Sequence, residues 1–326
     1  MLVWQYENPY NPYRFAQGSI TLTMGLIALF FHFVIIWVFL LHYEFRKRTC
    51  YFIMANVSVF HIFYALVLMM EGTFTLSDDS FHQTAENICG SFQELSHYGI
   101  QLTRVVLAFN RFTVMAGWRI HKKWFYLLIS LAWIISTTMS CSVFFMHYDY
   151  DFNLDLGFIL PDSDNANVLT LDRILLYTLY VTTGTSAVLY LITTALLIKQ
   201  KRSKTTVHNK TFDSAEMRLV FVALVTFAIS GMSIFFLYYS TTDLFGVYGY
   251  LVASLVMMFV KLFAEPIVYL ILNRELRRLI FCLQNKTQVL HVRSTTSNLS
   301  FGKTSVLHMK QAIPKTTSSS LTTGET

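Results

Sequence analysis

The sequence is short of charge. Only 13% of its 326 residues are Asp, Glu, Lys or Arg, where a soluble domain carries about a quarter. Chain-breakers are scarce too, with 5 Pro and 13 Gly. That excludes a turn-rich β architecture and favours long helices. Four Cys in so long a chain do not make a disulfide scaffold. What the chain has instead is apolar residues, 54% of the total, with 29 Phe and 18 Tyr and a mean hydropathy of +0.47. Such an aromatic content suits lipid-facing and interfacial surface. The first apolar run, Ser19 to His42, is too long for the core of a cleavable signal peptide and reads as an anchor that stays in the protein.

A helix needs about 20 apolar residues to cross a hydrocarbon core. Seven runs meet that length. Span 1 covers Ser19 to His42, span 2 Tyr51 to Met70, and span 3 Gln93 to Ala116. Span 4 covers Trp124 to Met146, span 5 Ile174 to Ile198, span 6 Met217 to Ser240, and span 7 Val247 to Leu272. Span 3 is the most polar, because it contains Glu94, His97, Gln101 and Arg104. The runs are uninterrupted where a barrel would alternate apolar and polar residues, so they are read as helices.

The connecting loops set the orientation. Arg46, Lys47 and Arg48 follow span 1; Arg119, Lys122 and Lys123 follow span 3; Lys199, Lys201, Arg202, Lys204 and Lys210 follow span 5. The other loops carry acids: Glu71, Asp78, Asp79 and Glu86, then Asp149, Asp151, Asp155, Asp162 and Asp164, then Asp243. Lys/Arg bias on short loops marks the cytosolic side, so the N-terminus is expected outside and the tail inside. The same asymmetry accounts for the formal net charge of +6 and removes the reason to invoke nucleic acid. The expected organisation is all-α: an extracellular N-terminus over 1–18, a seven-helix transmembrane domain over 19–272, an amphipathic surface helix over 273–283 and a disordered cytoplasmic tail over 284–326.

Local motifs narrow the class. At the inner end of span 3 stands Leu107-Ala108-Phe109-Asn110-Arg111-Phe112, which resembles the Asp-Arg-Tyr motif of rhodopsin-like G-protein-coupled receptors, with Asn for Asp. Glu265-Pro266-Ile267-Val268-Tyr269 in span 7 resembles their Asn-Pro-x-x-Tyr, with Glu for Asn. The basic stretch from Asn273 to Cys282 resembles their membrane-surface eighth helix, with Cys282 as a candidate palmitoylation site. Trp133 stands in the middle of span 4, where those receptors also carry Trp. Thr49-Cys50-Tyr51-Phe52-Ile53-Met54, taken with Ala108-Phe109-Asn110-Arg111, is similar to the nematode serpentine chemoreceptors of classes t, x, xa and v. The resemblance runs from span 1 to the eighth helix. It implies a chemosensory receptor of the plasma membrane, often of sensory cilia, that binds a small molecule and signals through a heterotrimeric G protein, with no catalytic residues and no cofactor. It also implies Asn110, Arg111, Pro266 and Tyr269 as the switch and coupling residues. Arg111 also admits a plainer role as a positive-inside anchor.

The departures are specific. Span 6 lacks the Trp-x-Pro kink of that family, leaving Ser230-Gly231 as the candidate bend. The loop between spans 4 and 5 has no Cys, so Cys89 is left with Cys141 as its candidate disulfide partner. Lys261 lies five residues before Pro266, whereas the retinal-binding Lys of opsins lies seven before, so retinal is not expected. Lys261 and Glu265, at i and i+4, are positioned to neutralise each other.

Glu94, His97, Gln101 and Arg104 fall at i, i+3, i+7 and i+10, on one helix face. Polar groups at membrane depth face the bundle interior or water. Glu94, His97 and Gln101, with Tyr177, Tyr180 and Thr183 of span 5, are therefore ligand-pocket candidates; an inter-helix network without ligand is the plainer alternative. By family spacing, His32, His61 and Glu265 occupy the positions of a small sodium pocket of rhodopsin-like receptors. A carboxylate at that depth needs donors or an opposite charge, and His32, His61 and Lys261 are the residues expected to supply them. A proton in place of the sodium ion, or a static network, follows from that grouping. The tail from Ser294, rich in Ser and Thr, offers phosphorylation sites for a kinase and arrestin, or serves trafficking only. The sequons at Asn209, Asn285 and Asn298 fall on the cytosolic side, and Asn56 lies inside span 2, so no glycan is expected on any of them.

Two other classes compete. A metal-dependent membrane hydrolase needs clustered His, Asp and Glu ligands, for which only His32, His61 and Glu265 are candidates. A transporter would tend to show inverted repeats or paired broken helices, and neither is visible.

Overall fold

The computed structural model describes residues 12–79, 82–145, 150–153, 158–161, 166–203 and 242–272, with scattered positions between 221 and 232 and residues 276 and 277. Seven helices and one hairpin order these segments: α1 (Pro12–Leu41), α2 (Tyr43–Arg46), α3 (Thr49–Ser77), α4 (Gln83–Met115), α5 (Lys122–Phe145), β1 (Tyr150–Asn153), β2 (Phe158–Pro161), α6 (Ala166–Ser203) and α7 (Thr242–Leu272). α2 is a single turn. The six long helices contain spans 1 to 5 and span 7. Span 6, with its Ser230-Gly231 bend, lies almost wholly outside the described residues, as do the surface-helix Cys282 and the tail.

Five of the long helices are long and apolar enough to cross a bilayer, and the chain is a multi-pass membrane protein. α4 is not among the five, because its face of Glu, His, Gln and Arg lowers its hydropathy. The helices run past the apolar runs that announced them. α1 begins at Pro12, seven residues before the expected start at Ser19; proline suits a first helical position, where no partner for its missing N–H is needed. α4 begins at Gln83, capped by His82, whose Nδ1 accepts from the Thr84 amide at 3.0 Å. Glu86, expected in a loop, is thus in its first turn and buried, where the positive end of the helix favours an acid. Glu71 is likewise helical and buried within α3.

The ends are sharply made. α3 stops at Asp78, in the left-handed conformation at φ 56°, and Asp78 accepts from Arg14 Nη1 at 2.7 Å. α4 closes where Trp118 N–H reaches Thr113 O at 2.9 Å and Gly117 N–H reaches Val114 O at 3.2 Å. Gly117 takes φ 74° there, a conformation that costs glycine little. On the same side of the molecule, Lys122 Nζ donates to the Lys47 carbonyl at 2.6 Å, tying the first inner loop to the start of α5.

The core is layered along the bundle. One apolar cluster joins Ile35, Phe39, Phe45, Tyr51, Met54 and Tyr269. A second holds Met24, Ala28, Tyr64, Leu68, Leu262 and Phe263, and a third Val67, Phe74 and Cys89. Phe30, Phe33 and Trp37 of α1 face outward, as a lipid-contacting stripe does. The hairpin departs from the all-α expectation. β1 pairs antiparallel with β2, Phe152 opposite Ile159, and Phe152 packs edge-on against Phe74 of α3 at 5.4 Å.

Candidate functional site

The chemistry of the bundle is concentrated where α1, α3, α4 and α7 meet. Pro266 lies inside α7. It has no N–H, so the carbonyl four residues earlier, on Leu262, loses its helical donor. That oxygen is taken by another helix: His32 of α1 donates to it from Nε2 at 3.2 Å. The His32 ring stacks on His61 of α3, with centroids 4.7 Å apart and planes at 13°. His61 Nε2 in turn lies 3.5 Å from Oε2 of Glu265, the residue just before the proline. The other carboxylate oxygen, Oε1, accepts two bonds from Arg104 of α4, from Nε at 2.9 Å and Nη2 at 2.6 Å.

Three helices therefore gather round the proline break of a fourth. Arg104 and Glu265 are both buried. Removing one partner of such a pair strands the other charge and typically costs about 3–5 kcal/mol. This corrects the expected partnership. The cation on Glu265 is Arg104, not His32 or Lys261. Lys261 turns away from Glu265 and places its ammonium over the Tyr64 ring, 4.1 Å from the centroid. The reason is helical geometry: the Arg104 face of α4 points straight at the proline turn, and its long side chain spans the gap. The grouping also fails as a metal centre. The two imidazoles present faces to each other rather than nitrogens to a common point, and Glu265 is held by a guanidinium. Among the described residues no set of three His, Cys, Asp or Glu side chains has metal-binding geometry.

One layer away, Tyr64 lies between Lys261 and His97, whose ring is 5.5 Å from it. Glu94 and Glu71, on the two helices that carry His97 and Tyr64, are both buried. His97 thus stands beside an aromatic ring that also carries a cation, and on the same helix Glu94 is buried and Gln101 half-buried. Tyr177 and Tyr180 do not join them. They are 66% and 41% exposed on the outer face of α6, a correction to the expected pocket. The inward face of α6 is one step round, at Thr182, Ser186, Tyr190 and Thr193. Thr183 is half-buried beside it.

At the inner end of α4, Asn110 and Arg111 are both buried. The Asn110 carbonyl accepts from Thr113 Oγ1 at 2.9 Å. Tyr190 of α6 and Tyr269 of α7 are also buried, Tyr190 in an apolar cluster with Ala108 of α4 and Tyr269 in another with Val106 and Leu107. Tyr190 and Glu71 were missed in the sequence. Glu71 has a legible signal, since His61, Tyr64, Leu68, Glu71 and Thr75 repeat at three and four residues along α3. Trp133 donates from Nε1 to Asn56 Oδ1 at 3.0 Å and lies against Phe60 at 4.2 Å, so Asn56 is a helix-packing residue.

The candidate disulfide does not form. Cys89 is buried against α3, its thiol aimed at the Val67 carbonyl at 3.8 Å, whereas Cys141 is exposed on α5; both are free. They stand on different faces of their helices.

These features define a helical membrane bundle. Squid rhodopsin is a solved structure with this arrangement: the TM-score is 0.67 over 88% of this chain and 89% of that one, at 14% sequence identity. The chain thus has a G-protein-coupled-receptor-like fold. No protein-family model matches it, and no curated protein matches it by sequence.

Proposed function

We propose that the protein is a seven-helix chemosensory receptor of the nematode serpentine type, within the rhodopsin-like G-protein-coupled architecture. It sits in the plasma membrane, in sensory cilia where the expressing cell has them, with its N-terminus outside. A small molecule binds in the outer half of the bundle, near Glu94, His97 and Gln101, with Tyr64 and Lys261 beside them. A heterotrimeric G protein is engaged at the inner end through Arg111 and the basic stretch Lys199–Lys210, and kinases and arrestin act on the tail. It carries out no chemistry of its own.

One observation carries the reading. The Asn110-Arg111 pair is buried at the inner end of α4, and just before it Tyr190 packs in one apolar cluster with Ala108 and Tyr269 in another with Val106 and Leu107, in a bundle that follows squid rhodopsin over most of both chains. Motifs that resemble a receptor family only by spacing would have no reason to converge.

The test is coupling. The full chain, expressed with a promiscuous G-protein α subunit and a calcium reporter, is expected to respond to at least one member of a broad volatile and water-soluble compound panel. A receptor at the cell surface that exchanges no guanine nucleotide with any G protein would overturn the proposal. Orientation is checked separately. A tag before Met1 is expected to stain in intact cells, and a tag after Thr326 only after permeabilisation. Surface staining of the C-terminal tag would refute both the orientation and the count of seven.

A further inference from the structure

We propose that the protein recognises small organic monoanions: a carboxylate on an apolar body, received by Lys261 of α7 and His97 of α4. The inference deepens the receptor reading, on which it rests, by naming the chemistry of the ligand.

Arg104 and Lys261 both place a cation in the middle of the bundle. Arg104 is matched by Glu265 at 2.6 Å. Lys261 has no such match. No carboxylate among the described residues is within ion-pair distance of its ammonium, and Glu265, one turn further along α7, is already held. What Lys261 has is the face of Tyr64, 4.1 Å from the ring centroid. A ring face attracts a cation through its quadrupole, but it offers no lone pair to the three N–H donors of an ammonium. An ammonium at membrane depth without a counter-charge is costly, and such groups mark the paths of ligands and ions.

A second polar group converges on the same ring. The His97 imidazole is 5.5 Å from Tyr64, and its Nε2 is buried with no hydrogen-bond partner among the described residues. Buried polar atoms are normally paired, and an imidazole nitrogen serves as a donor in one tautomer. Lys261 and His97 are each half-buried, although the Tyr64 ring between them is 5% exposed. The accessible surface of two side chains that flank a buried ring opens inside the bundle rather than towards lipid. One ammonium and one imidazole N–H offer donors for two oxygens and a single positive charge, which fits a carboxylate. The adjoining surface is apolar: Tyr64 shares a cluster with Met24, Leu68, Leu262 and Phe263, with Met258 packed against it. The body of the ligand is therefore aliphatic or aromatic. Glu71 and Glu94 are buried on the helices that carry Tyr64 and His97, so a second negative charge on the ligand is penalised.

The test needs no G protein. Full-length protein in lipid nanodiscs is melted at neutral pH with butanoate, octanoate, benzoate or phenylacetate, beside the matched alcohols and methyl esters. At least one carboxylate is expected to raise the melting temperature saturably, with its alcohol and ester inert. Lys261→Met is expected to weaken that carboxylate at least about ten-fold, the worth of one hydrogen bond between charged groups, and Lys261→Arg to keep part of it. Without any probe, Lys261→Met is expected to melt at least about 2 °C above the parent, because it removes a charge that no carboxylate matches. A lysine that only ties α7 to α3 through Tyr64 predicts the opposite sign. Parental or lower melting of Lys261→Met would overturn the proposal. So would a parent that no carboxylate stabilises, or equal stabilisation of parent and Lys261→Met. A receptor that responds only to neutral or cationic compounds would overturn the anion assignment and leave the receptor reading standing. Carboxylate binding lost in Lys261→Met, with no G-protein response to the same compound, would instead overturn the receptor reading.

Discussion

Arg111→Ala is expected to abolish the response of the protein to any compound that activates the parent, at matched surface level. The side chain is buried at the inner end of α4, next to the layer where Tyr190 of α6 packs with Ala108 and Tyr269 of α7 with Val106 and Leu107. A guanidinium is always charged and offers five donors in a fixed fork. Tyr190 and Tyr269 come from different helices, and a bond from that fork to either phenol would couple α4 to its neighbour. Alanine removes the donors and the charge together. Arg111→Lys keeps the charge but loses the fork, and is expected to retain only a small part of the response. The measurement is calcium signal against receptor count by surface antibody. A full response from the alanine variant would refute the coupling role and leave Arg111 as an inner-face anchor.

Gly72→Val is expected to remove the protein from the cell surface altogether. Gly72 of α3 packs so closely on α1 that a Cβ there would lie 2.6 Å from the Leu22 amide nitrogen and 2.9 Å from the Gly18 carbonyl oxygen. Those are backbone atoms and cannot rotate aside, so α1 and α3 must part along their contact. In a bilayer, close approach through small residues is a main source of helix association, because lipid offers no hydrophobic penalty to drive it. Gly184→Ala on α6 is the control. Nothing lies within 4 Å of its would-be Cβ, and alanine is favoured over glycine in a helix by roughly 1 kcal/mol. It is expected to reach the surface normally and to melt slightly higher in detergent. Normal surface expression of Gly72→Val would show that the contact is dispensable.

The spans were legible because hydrocarbon imposes a length that the sequence cannot hide. Apolar runs located the middles of the six long helices, but not their polar ends: Gln83 to Phe92 continues α4 through residues that hydropathy discounts. Facing was harder to read. In a soluble helix the apolar stripe points inward, yet on a membrane helix both faces are apolar. That is why Tyr177 and Tyr180, polar enough to suggest a pocket, lie on the outer face of α6, while Thr182, Ser186 and Tyr190 mark the inner one. Arg104 and Glu265 were each identifiable as charges in want of a partner. That they satisfy each other depends on how far α4 and α7 rotate about their own axes, which no local pattern encodes. The hairpin at Tyr150 to Pro161 was hidden for another reason. Its strands are four residues each, short enough to read as an acidic loop.

The order in which these helices are made has its own consequence. α1 and α3 are separated in the chain only by the single turn of α2 and share the most extensive contact among the described elements. They can dock during synthesis, before later segments leave the ribosome. Arg104 cannot. Its carboxylate lies 161 positions downstream, so the guanidinium waits in the membrane until the final span of the bundle is inserted. A ribosome that stalls after α6 releases a chain with a bare intramembrane cation, a species that costs several kcal/mol to hold in lipid. The pair that joins α4 to α7 in the finished bundle is thus missing from an unfinished one, which carries the lone charge in its place.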